Sequence, residues 1–162
     1  MTDTFLVADI GGTNTRVGLA DETGLIADST RRFRNRDNAS FAAVLEAYVA
    51  EMQPGALRGA CAGAAGPVKD GVAQLTNLDW QIDRETLLTV TGAEVADVIN
   101  DLPAQGLALN DLTEDSTKLL KAGDVSEGPR LVVGLGTGFN IVPVHQVGDV
   151  LLAPSCEAGH ET

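Results

Sequence analysis

The stretch Phe5-Leu6-Val7-Ala8-Asp9-Ile10-Gly11-Gly12-Thr13-Asn14-Thr15-Arg16-Val17-Gly18-Leu19-Ala20 decides the reading of this chain. It holds two short apolar runs separated by a glycine-rich turn, and the second run alternates apolar and polar residues with a period of two. Such a pattern predicts a strand, a tight connection and a second strand. Asp21-Glu22-Thr23-Gly24 is a further turn, and residues from Leu25 to about Phe33 read as a third strand. The chain is therefore expected to open as a β-meander, where a strand followed directly by a helix would have had a different pattern.

Beyond the meander the period changes. Phe41, Val44, Leu45, Tyr48, Val49 and Met52 follow helical spacing over residues 39–52, and Pro54-Gly55 ends the run. Leu57 to Ala65 reads as a strand rich in Ala and Gly, a composition that allows close backbone packing. Lys69-Asp70-Gly71 turns the chain into Val72-Ala73-Gln74-Leu75, and Thr76-Asn77-Leu78-Asp79-Trp80 reads as a loop. A short helix follows with Asp83 as N-cap and Gly92 as C-cap. Val95 to Ile99 is a strand that delivers Asn100-Asp101 at its end, and Pro103 suits the first turn of a helix reaching about Leu109.

The polar run from 110 to 129 marks a boundary near 110. After it, Arg130-Leu131-Val132-Val133 and Ile141 to Val147 read as strands around a second glycine-rich connection, with a hairpin turn at Gly148-Asp149. The order β-β-β-α-β-α-β-α is that of a ribonuclease H-like α/β unit. The fold expected is thus an α/β first lobe of this type, with a mixed five-stranded sheet and helices, over 1–110. Residues 111–162 are expected to begin a second such lobe with its opening hairpin. The recurrence of strand, Gly/Thr loop and strand at 6–20 and 131–147 supports a duplicated unit.

Composition narrows the function classes. Of 162 residues, 44% are hydrophobic, enough for a core. Eleven Lys and Arg against 23 Asp and Glu give a formal charge of −12, a field that repels phosphate backbones and anionic lipid. Neither nucleic acid nor a membrane is an expected partner. The basic stretch Arg31-Arg32-Phe33-Arg34-Asn35-Arg36 is read as a solvated strand end and turn. Cys61 and Cys156 are far apart in sequence, which is no disulfide scaffold or zinc ribbon, and Cys61 reads as a small core residue. No apolar run approaches the roughly 20 residues of a membrane span. Met1-Thr2-Asp3-Thr4 has no basic stretch ahead of an apolar core, so a soluble, cytoplasmic chain is expected.

Two sites of chemistry stand out. Glycines at 11 and 12 let backbone N–H groups approach an anion without a Cβ in the way, and Thr13 and Asn14 add side-chain donors. Asp9 beside them can hold Mg²⁺ through water, since hard cations prefer carboxylate oxygens. A ligand-free hairpin turn is the plainer reading of one such loop; two loops of this kind, each between strands, favour a phosphate site. Gly134-Leu135-Gly136-Thr137-Gly138 is not a dinucleotide fingerprint, because a strand containing Pro143 follows where a helix is required. No Gly-x-x-x-x-Gly-Lys-Ser/Thr is present, so a P-loop enzyme is excluded. Asp101 can act as a base past the end of a strand, or simply as a helix cap ahead of Pro103.

Asp9-Ile10-Gly11-Gly12-Thr13-Asn14, the Asn100-Asp101 pair, the second glycine loop and Glu157-Ala158-Gly159-His160 together resemble bacterial glucokinase, of the hexokinase-like branch of the actin-like ATPase superfamily. The resemblance runs in order over essentially the whole chain. It implies Mg²⁺- and ATP-dependent transfer of a phosphoryl group to the 6-hydroxyl of glucose, feeding glycolysis. On that resemblance Ala8, Asp9, Ile10, Gly11, Gly12 and Thr13 form the first phosphate loop, and Gly136, Thr137 and Gly138 the second. Asp101 falls on the catalytic base, and Asn100, Glu157 and His160 on positions that bond sugar hydroxyls. Asn77, with Thr76, lies in a loop able to border the sugar, whereas Trp80 reads as packing. Asn14 separates the chain from related kinases and repressors that usually carry lysine there. Two neighbouring readings share the fold: a kinase for another hexose, and a non-catalytic sugar-sensing regulator. The resemblance leaves room for a homodimer. Glucokinases run to about twice this length, so the chain is read as the N-terminal half, with weak or no catalysis expected from it alone.

Overall fold

The opening hairpin forms as its pattern requires. Strands β1 (Phe5–Ile10) and β2 (Asn14–Asp21) pair antiparallel from Phe5↔Ala20 to Ile10↔Thr15. These come from a computed structural model, which describes residues 2–75, 78–124, 128–135 and 139–154. The chain divides into two units, Met1–Asp101 and Leu102–Thr162.

In the first unit the third strand of the meander arrives in two pieces. Strands β3 (Gly24–Leu25) and β4 (Arg31–Arg34) both pair with the edge of β2 that β1 leaves open. Between them the chain steps out of the sheet at Asp28, whose φ is 58°. Ser29, 1% exposed, replaces the missing ladder: its Oγ accepts from the Leu19 amide at 3.0 Å and donates to the Ile26 carbonyl at 2.7 Å. A buried serine can bond backbone in this way because its hydroxyl both donates and accepts.

Helix α1 (Phe41–Met52) starts where Ser40 Oγ accepts from the Ala43 amide and ends at Gln53 in the left-handed region. Phe41, Val44, Leu45 and Tyr48 are fully buried along one face, each contributing about 2 kcal/mol of burial. Tyr48 keeps its hydroxyl satisfied by donating to the Ser29 carbonyl at 2.8 Å, and burial pushes its pKa up. Strand β5 (Gly59–Ala64) then pairs parallel with β1, and its buried Ala60, Ala62 and Ala64 are small enough to let other elements pack closely on that face.

Strands β6 (Val68–Lys69), β7 (Val72–Leu75) and β8 (Leu78–Asp83) form a separate small antiparallel sheet. The turn at Asp70 and Gly71, with φ of 53° and 76°, is the one the sequence predicts. The expected loop at 76–80 is corrected in part: Leu78, Asp79 and Trp80 belong to β8. Trp80 and Ile82 alternate inward, and the interleaved Asp79, Gln81 and Asp83 obscured that period. Trp80, 6% exposed, is packing, as expected. Helix α2 (Arg84–Thr91) is capped by Asp83 and Gly92 as predicted, with Asp83 Oδ1 accepting from the Thr86 amide at 2.7 Å. Strand β9 (Val95–Asn100) completes the main sheet, parallel to β5. Its order is β3 and β4 end to end along one edge, then β2, β1, β5 and β9: five positions across, mixed in direction.

In the second unit, helix α3 (Asp101–Leu107) carries Pro103 in its first turn and continues as a 3₁₀ turn over Ala108–Asn110. Strands β10 (Arg130–Leu135), β11 (Phe139–Val147) and β12 (Val150–Leu152) form an antiparallel sheet with a turn at Gly148, φ 61°. Leu102, Val132, Val142 and Val144 make its core. A Cβ at Gly106 would stand 2.9 Å from Val144 and 3.0 Å from Ala153, so the glycine allows the helix to lie close on the sheet. Among the described residues no helix is long and apolar enough to cross a membrane.

Two consequences are measurable by urea or thermal unfolding. Leu45→Ala removes a fully buried side chain and is expected to cost about 3 kcal/mol. Asp83→Ala is expected to cost about 1 kcal/mol at neutral pH. Burial raises the Asp83 pKa, but its bonds from Thr86 and Gln81 outweigh that and lower it. The cap therefore contributes above the unfolded-state carboxylate pKa, about 4, and is lost as pH falls through the lower folded-state value. The difference between wild type and Asp83→Ala should close in that acid range.

Candidate functional site at the carboxyl edge of the sheet

Three parallel strands end level in the first unit. Ile10 is in register with Ala64, and Ala64 with Asn100. The Gly11-Gly12-Thr13 turn, the Ala65-Gly66 exit and the Asn100-Asp101 pair therefore leave the same edge of the sheet. Two strand spacings, about 10 Å, separate the first from the last. In α/β sheets this carboxyl edge is where ligands bind.

The turn is held from several sides. The Gly11 amide donates to the Asn14 carbonyl at 3.0 Å, and the Ala65 amide donates to the Ile10 carbonyl at 2.9 Å. Asn35 reaches in from the end of β4. Its backbone amide donates to the Thr13 carbonyl at 3.0 Å, its Nδ2 donates to the Gly11 carbonyl at 2.7 Å, and its Oδ1 accepts from the Thr15 hydroxyl at 2.9 Å. Gly12 and Thr13 are exposed, and among the described residues neither amide has a hydrogen-bond partner. A Cβ placed on Gly11 would meet nothing closer than the Asn14 carbonyl, at 3.5 Å. Two unbonded amides on exposed residues beside uncrowded backbone are what an anion needs.

Ala8 and Ile10 are buried on β1 and serve the core; Asp9, between them, points to the opposite face. There Arg16 Nη1 donates to Asp9 Oδ2 at 2.9 Å, both side chains being more than half exposed. Arg32 donates from Nε to Asn14 Oδ1 at 3.1 Å. Arg16 pairs in register with Arg32, and Asn14 with Arg34, so three arginines stand on the strand ends beside the turn in a chain of net charge −12. An exposed carboxylate beside such a turn could join a Mg²⁺ ion that takes its other ligands from phosphate oxygens or water. Among the described residues no cluster of three or more His, Cys, Asp or Glu could hold a metal unaided.

At the other end, Asn100 donates from Nδ2 to the Gly66 carbonyl at 2.8 Å and, more weakly, to the Ala64 carbonyl at 3.4 Å. Gly66 in turn lies so close to β7 that a Cβ would fall 2.7 Å from the Gln74 carbonyl. Asp101, half-buried, opens α3. Asn77, Gly136, Thr137, Gly138, Glu157 and His160 lie outside the described residues; the strands on either side of Asn77 pair at Leu75↔Leu78, and those on either side of 136–138 at Leu135↔Phe139. Cys61 takes no part: burial, with the Asp97 carboxylate, pushes its pKa up, which keeps it a thiol at neutral pH.

Sequence reasoning missed Asn35, which it placed in a solvated basic turn. Asn35 is 1% exposed. The signal available was alternation: Phe33 and Asn35 are two apart, and Phe33 pairs with the buried Thr15, so Asn35 continues the inward row.

The glucokinase family profile matches residues 6–162. A glucokinase of Photorhabdus laumondii is 31% identical over 156 residues, an alignment covering 96% of this chain and 48% of that protein. The crystal structure of a glucokinase from an Antarctic psychrotroph is 29% identical, with a TM-score of 0.85, over 100% of this chain and 52% of that one. A Balamuthia mandrillaris glucokinase crystallised with glucose shares the fold at 23% identity and a TM-score of 0.66, over 99% of this chain and 49% of that one. The chain thus spans about half the length of the curated relatives it matches. With the level strand ends, the anchored glycine turn and a family match running from β1 to residue 162, the chain belongs to the glucokinase family.

Proposed function

We propose that this chain carries the first phosphate loop and the catalytic base of an ATP-dependent glucokinase. The observation that supports this most is the common register of Ile10, Ala64 and Asn100. It gives one sheet edge both an anion-binding turn and a carboxylate, the two parts phosphoryl transfer requires. The family relatives and the glucose complex of the Balamuthia enzyme support glucose as the acceptor.

In this reading the Gly12 and Thr13 amides receive nucleotide phosphate oxygens, with Arg16 and Arg32 adding positive potential nearby. Asp9 would hold Mg²⁺ through water, and the ion when bound neutralises charge on the phosphates. Asn100, Asn77, Glu157 and His160 bond the sugar hydroxyls, and Gly136, Thr137 and Gly138 take a second phosphate contact. Asp101 accepts the proton of the glucose 6-hydroxyl as that oxygen bonds to the γ-phosphorus; the bond to the bridging oxygen breaks, and ADP leaves. A sugar hydroxyl barely ionises at neutral pH, so a positioned carboxylate is worth about 10²–10⁴ in rate. Residues 1–110 act as the small lobe and 111–162 as the start of a second, larger one.

The test pairs transfer with binding. Glucose 6-phosphate formation from glucose and Mg·ATP is measured for the purified chain and for Asp101→Ala, with thermal shifts by each ligand alongside. The expected result is a shift with both ligands in both proteins, weak or no transfer by the chain, and any transfer at least a hundredfold less in the variant. A shift with neither ligand refutes the reading. Transfer that survives Asp101→Ala refutes the base, and a larger shift with fructose, mannose or N-acetylmannosamine than with glucose reassigns the acceptor.

A further inference from the structure

The glycine turn owes its shape to a residue outside it. Asn35, although set among arginines, is buried just past β4; it bonds the turn at two points and Thr15 of β2 at a third. Its Nδ2 holds the Gly11 carbonyl and its backbone amide holds the Thr13 carbonyl, so the turn is fixed on both sides of Gly12. In a trans peptide the carbonyl and the following N–H point in opposite directions. Holding the Gly11 carbonyl toward Asn35 therefore aims the Gly12 amide away from it, outward from the protein. The Thr15 hydroxyl completes the arrangement. By donating to Oδ1 it fixes which end of the Asn35 amide is the acceptor and leaves Nδ2 facing Gly11.

We propose that Asn35 is a positioning residue for the nucleotide: it presets the Gly11-Gly12-Thr13 turn so that the free Gly12 amide meets the phosphates without reorganisation. This rests on the phosphate reading of the turn. A preset donor binds more tightly than one that must be ordered by its ligand. The effect falls on the nucleotide and leaves the sugar, whose residues lie elsewhere, untouched.

Two single-bond deletions separate positioning from stability. Asn35→Asp keeps the shape and the bond from Thr15 but cannot donate to the Gly11 carbonyl. Thr15→Val removes the other bond and leaves Nδ2 on Gly11. Asn35→Ala, which carries no charge, distinguishes a lost donor from repulsion of the phosphates and stands in if the aspartate variant does not fold. Dissociation constants for Mg·ATP and for glucose are measured by calorimetry on the full chain, with thermal unfolding of each variant. Both Asn35 variants are expected to bind Mg·ATP about five- to tenfold more weakly, with glucose changed less than about twofold and Thr15→Val weakened less than about threefold. Unchanged Mg·ATP affinity in the Asn35 variants overturns the proposal. So does equal weakening of all three variants in step with their loss of stability. If wild type binds glucose but no Mg·ATP, the phosphate reading itself fails, and the proposal with it.

Discussion

Parallel pairing of β1 with β5, Ile10 opposite Ala64, is the constraint from which the rest of the first unit follows. Parallel strands cannot be joined by a tight turn and need a crossover; α1 supplies it, and α2 supplies the next one, to β9. Each crossover returns the chain to the same end of the sheet, so the strand exits gather along one edge. The price is paid in side-chain volume. Ala60, Ala62 and Ala64 fill the buried row of β5, where a larger residue would push the packed elements away. Gly66 continues the requirement past the strand end, where the backbone of β7 leaves no room for a Cβ.

How much of this was legible depended on whether the cause was local. The helix caps at Ser40, Asp83 and Gly92 act within one turn, and the sequence states them directly. The meander, both crossover helices and the glycine turns were legible for the same reason. The break in the third strand was not. Leu25 to Phe33 has strand-like composition throughout, but Ser29 is drawn out of the ladder by a tyrosine 19 residues away. β8 was hidden because its outward row is acidic and amidic, which looks like a loop until Trp80 and Ile82 are seen to share a face.

At the site, glycine content identified the turn but could not say what holds it. Asn35 is 24 residues from Gly11, and only the pairing of β4 with β2 brings the two together. The same limit applies to Asn100. Its type and place fit a sugar ligand, yet its amide nitrogen serves the carbonyls of Gly66 and Ala64. It thus ties the exits of β5 and β9 together, a role with no trace in a single sequence.

Tyr48 and Trp80 are the chain's single tyrosine and single tryptophan, and both are buried in the first unit. Tyrosine and tryptophan absorption and tryptophan fluorescence therefore report on that unit alone, Phe139 being the second unit's one weak chromophore, while the backbone signal in the far ultraviolet sums over both. The two optical windows observe different parts of one polypeptide. Their coincidence or separation during unfolding is a direct reading of whether the units melt as one cooperative body.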